Sequence, residues 1–342
     1  MTRSGERSGN RRFALYAWLV LAYTILVILW GTVVRATGSG AGCGDHWPLC
    51  GGQVFPRAAQ IATLIEFAHR LTSGLVVALV VGLVYFAFRR FPARHLARRY
   101  AGAALFFTIT EALLGAALVL LGETGTNASM SRVFFLSLHL VNTFFLLASL
   151  ALTAQAFAED LPAPIAQPPP RGRRPAASRH RLLAAYGAGL LGTLAVAVTG
   201  TIAALADSLF HATSLAQAFQ WDFSGSVSPL LRLRIIHPVV AVVVGTFLLV
   251  LALHPLIAPA PPAARRLAPC LLALVLLQFC LGGLNVLLLS PLWIQVVHLL
   301  TADLIWITLV LLTAVLLRDP ALASSSLARE PVALAASPGR SP

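Results

Sequence analysis

Apolar runs of about 20 residues recur along this chain, and they constrain its fold more than any other feature. Each is long enough as a helix to cross a hydrocarbon core of ~30 Å. Eight are expected, at 13–35, 61–88, 100–122, 131–156, 182–205, 231–254, 267–290 and 292–317. Inside lipid the backbone of each span must satisfy its own polar groups, so the runs are read as helices. Composition agrees: 58% of residues are hydrophobic and 11% charged, whereas soluble domains carry roughly 25% charged residues. The first run is long, and no clear small-x-small cleavage site follows a short apolar region, so it is read as a retained helix and not a removed signal peptide.

A net charge of +13 could point to nucleic acid, but the placement of the charge points to a bilayer. All 25 basic residues are Arg, and 19 of them fall in the N-terminus, in alternate loops and in the tail. Arg35, Arg57, Arg70, Arg132, Arg232 and Arg234 lie at or near the opposite helix ends. By the positive-inside rule both termini are expected in the cytoplasm. The expected organisation is a cytoplasmic N-terminus at 1–12, a four-helix bundle at 13–157, a Pro- and Arg-rich cytoplasmic linker at 158–181, a second bundle at 182–317 and a disordered cytoplasmic tail at 318–342.

The halves echo one another. "WGTVVRATG" (30–38) parallels "TGTIAALAD" (199–207), "FAHR" (67–70) parallels "IIHP" (235–238), and "LLGAALVLL" (113–121) parallels "CLGGLNVLL" (280–288). These offsets lie near 168 residues, while "SLHLVN" (137–142) and "VVHLLT" (296–301) are 159 apart. Four spans per half imply a parallel repeat about an axis along the membrane normal. The fold expected is all-α: two pseudo-symmetric four-helix bundles with both ends inside.

Nine histidines are present. His46, His95, His180, His211 and His254 fall in loops or at helix ends. His69, His139, His237 and His298 fall inside the second, fourth, sixth and eighth spans, all ~9–12 Å below the outer boundary. A single intramembrane His is commonly a hydrogen bond to a neighbouring helix. Four at one depth, two per half, suit the paired axial ligands of six-coordinate heme iron. A zinc or copper site would want a further ligand nearby, and a proton relay would want carboxylates, for which Glu66, Glu111 and Asp303 are available.

In the loop "TGSGAGCGDHWPLCGGQVFP" (37–56), Cys43 and Cys50 face an oxidising compartment, where a disulfide is the default. The bridge can be structural or redox-active, and a metal site with His46 is the remaining reading. Cys270 and Cys280, ten residues apart on one span, are read as small core residues.

Taken in order, "GTVVRATGSGAGC", "DHWPLCGG", "EFAHRLTSG", "SLHL", "IIHP" and "VVHLL" resemble the heme A synthase family, membrane enzymes that oxidise heme O to heme A for terminal oxidases. The resemblance covers about residues 13–317. It implies that His69 and His139 hold the substrate heme, and that His237 and His298 hold a resident heme b. It also implies that Glu66 is the catalytic carboxylate and Cys43–Cys50 the outer-loop disulfide. The implied oxidation turns a ring methyl into a formyl group, with oxygen drawn from water. The implied partners are heme O, a heme O synthase, an electron acceptor or quinone, and membrane lipid, with no nucleic acid. The implied location is a bacterial inner membrane. One departure from some relatives is that the loop at 207–229 has no second Cys pair.

Arg35, Arg70, Arg232 and Arg234 are candidate contacts for heme propionates, since a guanidinium fork matches a carboxylate. Each could instead snorkel to the interface. Two other classes remain open: a diheme cytochrome that only transfers electrons, and a small-molecule transporter built on repeats. The first predicts equally equipped halves, yet Arg234 stands where the first half has Glu66. The second has no need of four His at one depth.

Overall fold

The computed structural model describes residues 3–57, 60–159, 176–224 and 228–318, and its regular elements are helical throughout. α1 is Arg3–Ala36, α2 Ile61–Arg90, α3 Leu96–Leu120 and α4 Met130–Glu159. The second half has α5 at Ala176–Leu209 and two short helices, α6 at Leu215–Phe223 and α7 at Pro229–Arg234. It ends with α8 at Ile236–Ile257, α9 at Pro262–Leu287 and α10 at Leu292–Leu317. α7 and α8 together make one span, so eight segments among the described residues are long and apolar enough to cross a membrane. This is a multi-pass membrane protein.

Helix extends further than hydropathy suggests. α1 begins inside the expected N-terminal segment 1–12, and α4 and α5 both run into the expected linker at 158–181. Hydropathy marks where lipid ends, and an Arg-rich turn can remain helical beyond it. The rest of that linker, 160–175, and the tail at 319–342 lie outside the described residues.

α1 to α4 pack in sequence, and α4 returns to α1. α5, α8, α9 and α10 close a second ring in the same way. The rings meet through α1 and α4 on one side and α5 and α10 on the other. Lipid tails are as apolar as Leu, so helices associate in membranes by close packing, which small residues permit. Ala97, Ala101 and Ala104 of α3 are fully buried on one face, and so are Ala151 and Ala154 of its neighbour α4. The buried set Ala97, Ala101, Ala104 and Thr108 recurs 167 residues later on α9 as Ala264, Ala268, Leu271 and Val275.

Polar contacts clamp the two halves together. Trp306 stacks on Phe144 with ring centroids 5.1 Å apart, and its Nε1 donates to the Phe144 carbonyl at 2.6 Å. Arg35 of α1 donates to Ala204 O (2.6 Å) and Ser208 Oγ (2.5 Å) on α5, and to Gln295 Oε1 (2.9 Å) on α10. At the opposite end Arg318 pairs with Glu159.

Cys270 and Cys280 do not sit in a core: both are free thiols exposed on α9. The outward face of a spanning helix meets lipid, and a thiol is apolar enough for it. The sixth span is also interrupted. Pro238 has no N–H to give the Arg234 carbonyl, and the helix resets at Ile235, two residues before His237.

Candidate functional site

The Cys43–Cys50 disulfide is formed, with Cα atoms 4.5 Å apart. Cys50 and Gln53 exchange backbone hydrogen bonds of 3.0 Å across Gly51 and Gly52, which take φ of 58° and 75°. Two consecutive residues at positive φ call for glycine. The loop rests on α2 through the charged pair that opens the apolar stretch. Glu66 is buried, 3% exposed, and its Oε2 accepts from the Cys43 amide at 2.8 Å. Its Oε1 accepts from Arg70 Nη2 at 2.5 Å and Nε at 3.1 Å. Arg70 Nη1 then donates to the carbonyls of His46 (2.6 Å) and Leu49 (2.8 Å). Glu66 and Arg70 thus hold the loop as well as each other.

The second half is capped differently. Here α6 covers the helix end, and Arg234 fixes it, donating to Asp222 Oδ1 from Nη2 (2.6 Å) and Nε (3.0 Å). Arg234 Nη1 donates to Asp207 Oδ1 at 2.7 Å, and Asp207 Oδ2 accepts from Ser290 at 2.6 Å. Residues 66 and 234 therefore do the same mechanical task with opposite charge. Arg35, Arg70 and Arg234, expected as propionate contacts, direct donors to protein acceptors, while Arg232 is exposed.

The four spanning histidines all face into the bundles and are half-buried. His237 and His298 face one another with ring centroids 6.5 Å apart and planes at 85°. Two imidazoles on opposite sides of one metal, with metal–nitrogen bonds of about 2 Å, place their centroids about 6 Å apart. The pair therefore suits a metal held between two rings. Thr199 Oγ1 lies 3.2 Å from His237 Nδ1, and Ser73 Oγ lies 2.9 Å from His69 Nδ1, so each hydroxyl occupies one ring nitrogen and leaves Nε2. Such contacts fix ring orientation at metal sites.

Each histidine also lies against a glycine of a neighbouring helix. A Cβ on Gly31 would fall 2.7 Å from His69 Nε2, and one on Gly200 would fall 3.0 Å from His237 Cε1. Any side chain there would push into the ring. Gly115 and Gly282 make the looser matching contacts with His139 and His298, at 3.9 and 3.4 Å. Glycines thus admit the imidazoles close to a neighbouring helix at matching places in both halves.

A polar cluster lies beside His139. Glu111 of α3 takes hydrogen bonds from Asn142 Nδ2 (2.6 Å) and from Thr143, and its Oε1 lies 3.5 Å from His139 Nε2. Beside His298 the matching residue is Gln278, with Nε2 at 3.2 Å from His298 Nε2. Asp303, five residues past His298, is fully buried and has no hydrogen-bond partner among the described residues. It lies about 140° round the helix from His298 and does not share its face. Among the described residues no cluster of three or more His, Cys, Asp or Glu forms a metal site.

Residues 14–310 match the model of the cytochrome oxidase assembly protein family, COX15-CtaA. The chain belongs to that family. A Thermus thermophilus protein named protoheme IX farnesyltransferase is 45% identical over 306 residues, covering 88% of this chain and 48% of that protein. Heme A synthase of Alkalihalophilus pseudofirmus is 35% identical over 149 residues, 43% of this chain and 48% of that protein. Heme A synthase of Shouchella clausii is 42% identical over 100 residues, 29% of this chain and 33% of that protein. The chain spans about half the length of the first of these relatives.

For this cytochrome oxidase assembly family member, sequence reading named the histidines, the disulfide and the Glu66–Arg70 pair. It did not place Glu111 beside His139, or Thr199 and Ser73 beside the other rings. The repeat held a signal for the first of these, since Glu111 and Gln278 are 167 residues apart, the same offset as Gly115 and Gly282.

Proposed function

We propose that this chain makes heme A, oxidising the ring methyl of heme O to a formyl group for a terminal oxidase. The observation that carries the reading is the facing pair His237 and His298 at 6.5 Å, a spacing suited to one six-coordinate heme iron. Membership of a cytochrome oxidase assembly family, with relatives named heme A synthase, supports heme as that group. His237 and His298 would hold a resident heme b, which supplies a redox-active iron. His69 and His139 would hold the substrate. Gly31 and Gly200 let the first ring of each pair sit close against the neighbouring helix.

Heme O is apolar and farnesylated, so entry from the bilayer suits it, and a bacterial inner membrane with both chain ends in the cytoplasm is the setting we assign. Glu66, three residues before His69, is the carboxylate assigned to proton handling during methyl oxidation. Its contact with the Cys43 amide ties that role to the disulfide loop. An electron acceptor or quinone takes up the reducing equivalents of the oxidation. A heme O synthase is the supplying partner: a relative named protoheme IX farnesyltransferase carries a segment like this chain within about half of its length.

The matching His–Gly contacts in the two halves favour one other reading, a diheme cytochrome that only carries electrons. Heme extraction separates the two. In cells that make heme O but no heme A, expression of this chain should yield heme A. An electron carrier would leave heme O unconverted.

A further inference from the structure

Arg35 and Arg132 are drawn into the protein without a carboxylate to meet them. Arg70 pairs with Glu66, Arg234 with Asp207 and Asp222, and Arg318 with Glu159, but Arg35 and Arg132 make no ion pair among the described residues. Both line one cavity of about 470 Å³. It lies where α1 and α5 end and α4 begins, so the two halves build it together. No Asp or Glu lines it. Its rim, with Thr37, Thr126 and His211, is exposed, whereas Arg132 is 4% exposed. Arg132 Nη1 donates to the carbonyls of Gly125 (2.9 Å) and Asn127 (2.6 Å), while its buried Nε has no hydrogen-bond partner among the described residues. The acidic residues closest to the lining in sequence, Glu123 and Asp207, are engaged elsewhere. Glu123 accepts from Asn127, Ser129 and Ser131, and Asp207 accepts from Arg234 and Ser290.

Buried cations are ordinarily paired, because a charge taken out of water without a partner is costly. Two guanidiniums on one cavity supply what an anion needs: positive charge, and N–H donors in a planar fork that matches the oxygens of a phosphate. We propose that this cavity binds a phosphate group, and that the bound group braces the joint between the two halves. Its position favours phosphate, since the cavity opens at the ends of the spans, level with the lipid headgroups. A water needs only ~10–15 Å³ of such space, so the cavity has room for a phosphodiester headgroup as well as for free phosphate. Arg35 already ties α1 to Ser208 of α5 and Gln295 of α10, so an anion held there acts where the rings meet. The inference is independent of heme binding.

The test follows the melting temperature of the full-length protein in dodecylmaltoside after lipid has been washed away. Phosphatidylglycerol added to the micelles should raise it saturably, and diacylglycerol, which brings similar tails and no phosphate, should not. Inorganic phosphate, set against chloride at equal ionic strength, is the second arm. A rise with inorganic phosphate assigns the site to free phosphate, and a rise with phosphatidylglycerol alone assigns it to a headgroup. Arg132→Gln should weaken the apparent affinity about tenfold or more, the scale of one charge-assisted hydrogen bond. Thr126→Glu puts a negative charge on the exposed rim, keeps every bond of Arg132, and should weaken it similarly; it serves if Arg132→Gln fails to fold. Three outcomes overturn the inference: no rise in either arm, an equal rise with diacylglycerol, or an unchanged titration in Thr126→Glu, which would place the phosphate on the arginine-rich loops.

Discussion

Glu66 and Arg234 sit 168 residues apart at matching places, each buried or half-buried near the membrane boundary and each tied to the cap above it. A lone i,i+4 ion pair gives only ~0.2–0.5 kcal/mol on an exposed helix, which is small against the ~2.5–3.5 kcal/mol of a charge in a membrane span. The added contacts to Cys43, His46 and Leu49 explain how Glu66 and Arg70 are retained there. Glu66→Gln keeps an acceptor for the Cys43 amide and removes the charge. Heme A formation should fall ~100-fold or more, the scale of losing a general base, with the low-spin heme b spectrum kept. Normal output would leave Glu66 as a loop anchor alone. Residue identity was legible wherever a polar group interrupts an apolar run, because that cost demands a reason. Contacts across helices were not: that Arg35 reaches Ser208 and Gln295 depends on which helices face each other, and the sequence pattern carries no such information.

At the scale of elements, the two caps differ most. The first half holds a disulfide loop and the second holds α6, which explains how the 207–229 segment manages without cysteines. Replacing Cys43 and Cys50 with Ser should impair heme A formation and leave the low-spin heme b intact, since the loop is tied to Glu66 and Arg70 of α2 in the first half. Loss of heme b in that variant would show the caps to be coupled. Gly200→Val places a side chain against His237, and overpacking of this kind costs ~1–3 kcal/mol. Its low-spin heme b should be lost while the protein still inserts, as optical spectra of solubilised membranes would reveal. A full spectrum would mean that the Gly200 approach is not part of the site. The eight spans were legible because lipid imposes a length and a composition. The reset at Ile235 was not drawn out of "IIHP", although Pro238 is its physical cause. The placement of Cys270 and Cys280 failed because burial in lipid and burial in protein look alike in a hydropathy pattern.

Across the whole molecule, two four-helix rings share an interface built from α1, α4, α5 and α10, clamped by Arg35 near one end and Arg318 near the other. The recurrence of buried positions on α3 and α9 supports the repeat that matched motifs suggested. The orientation proposed from the Arg-rich loops has its own test: reporter fusions in the 89–99 loop should be active only on the cytoplasmic side, and an outside signal would invert the topology. The division of labour between the rings is the centre of this account. In cells supplying heme O, extracted hemes and optical spectra should be measured together for two double variants. His69→Ala/His139→Ala should keep the low-spin heme b spectrum and yield no heme A, and His237→Ala/His298→Ala should lose that spectrum. Undiminished heme A from the first variant, or an intact heme b spectrum in the second, would contradict the assignment of substrate to one ring and resident heme to the other.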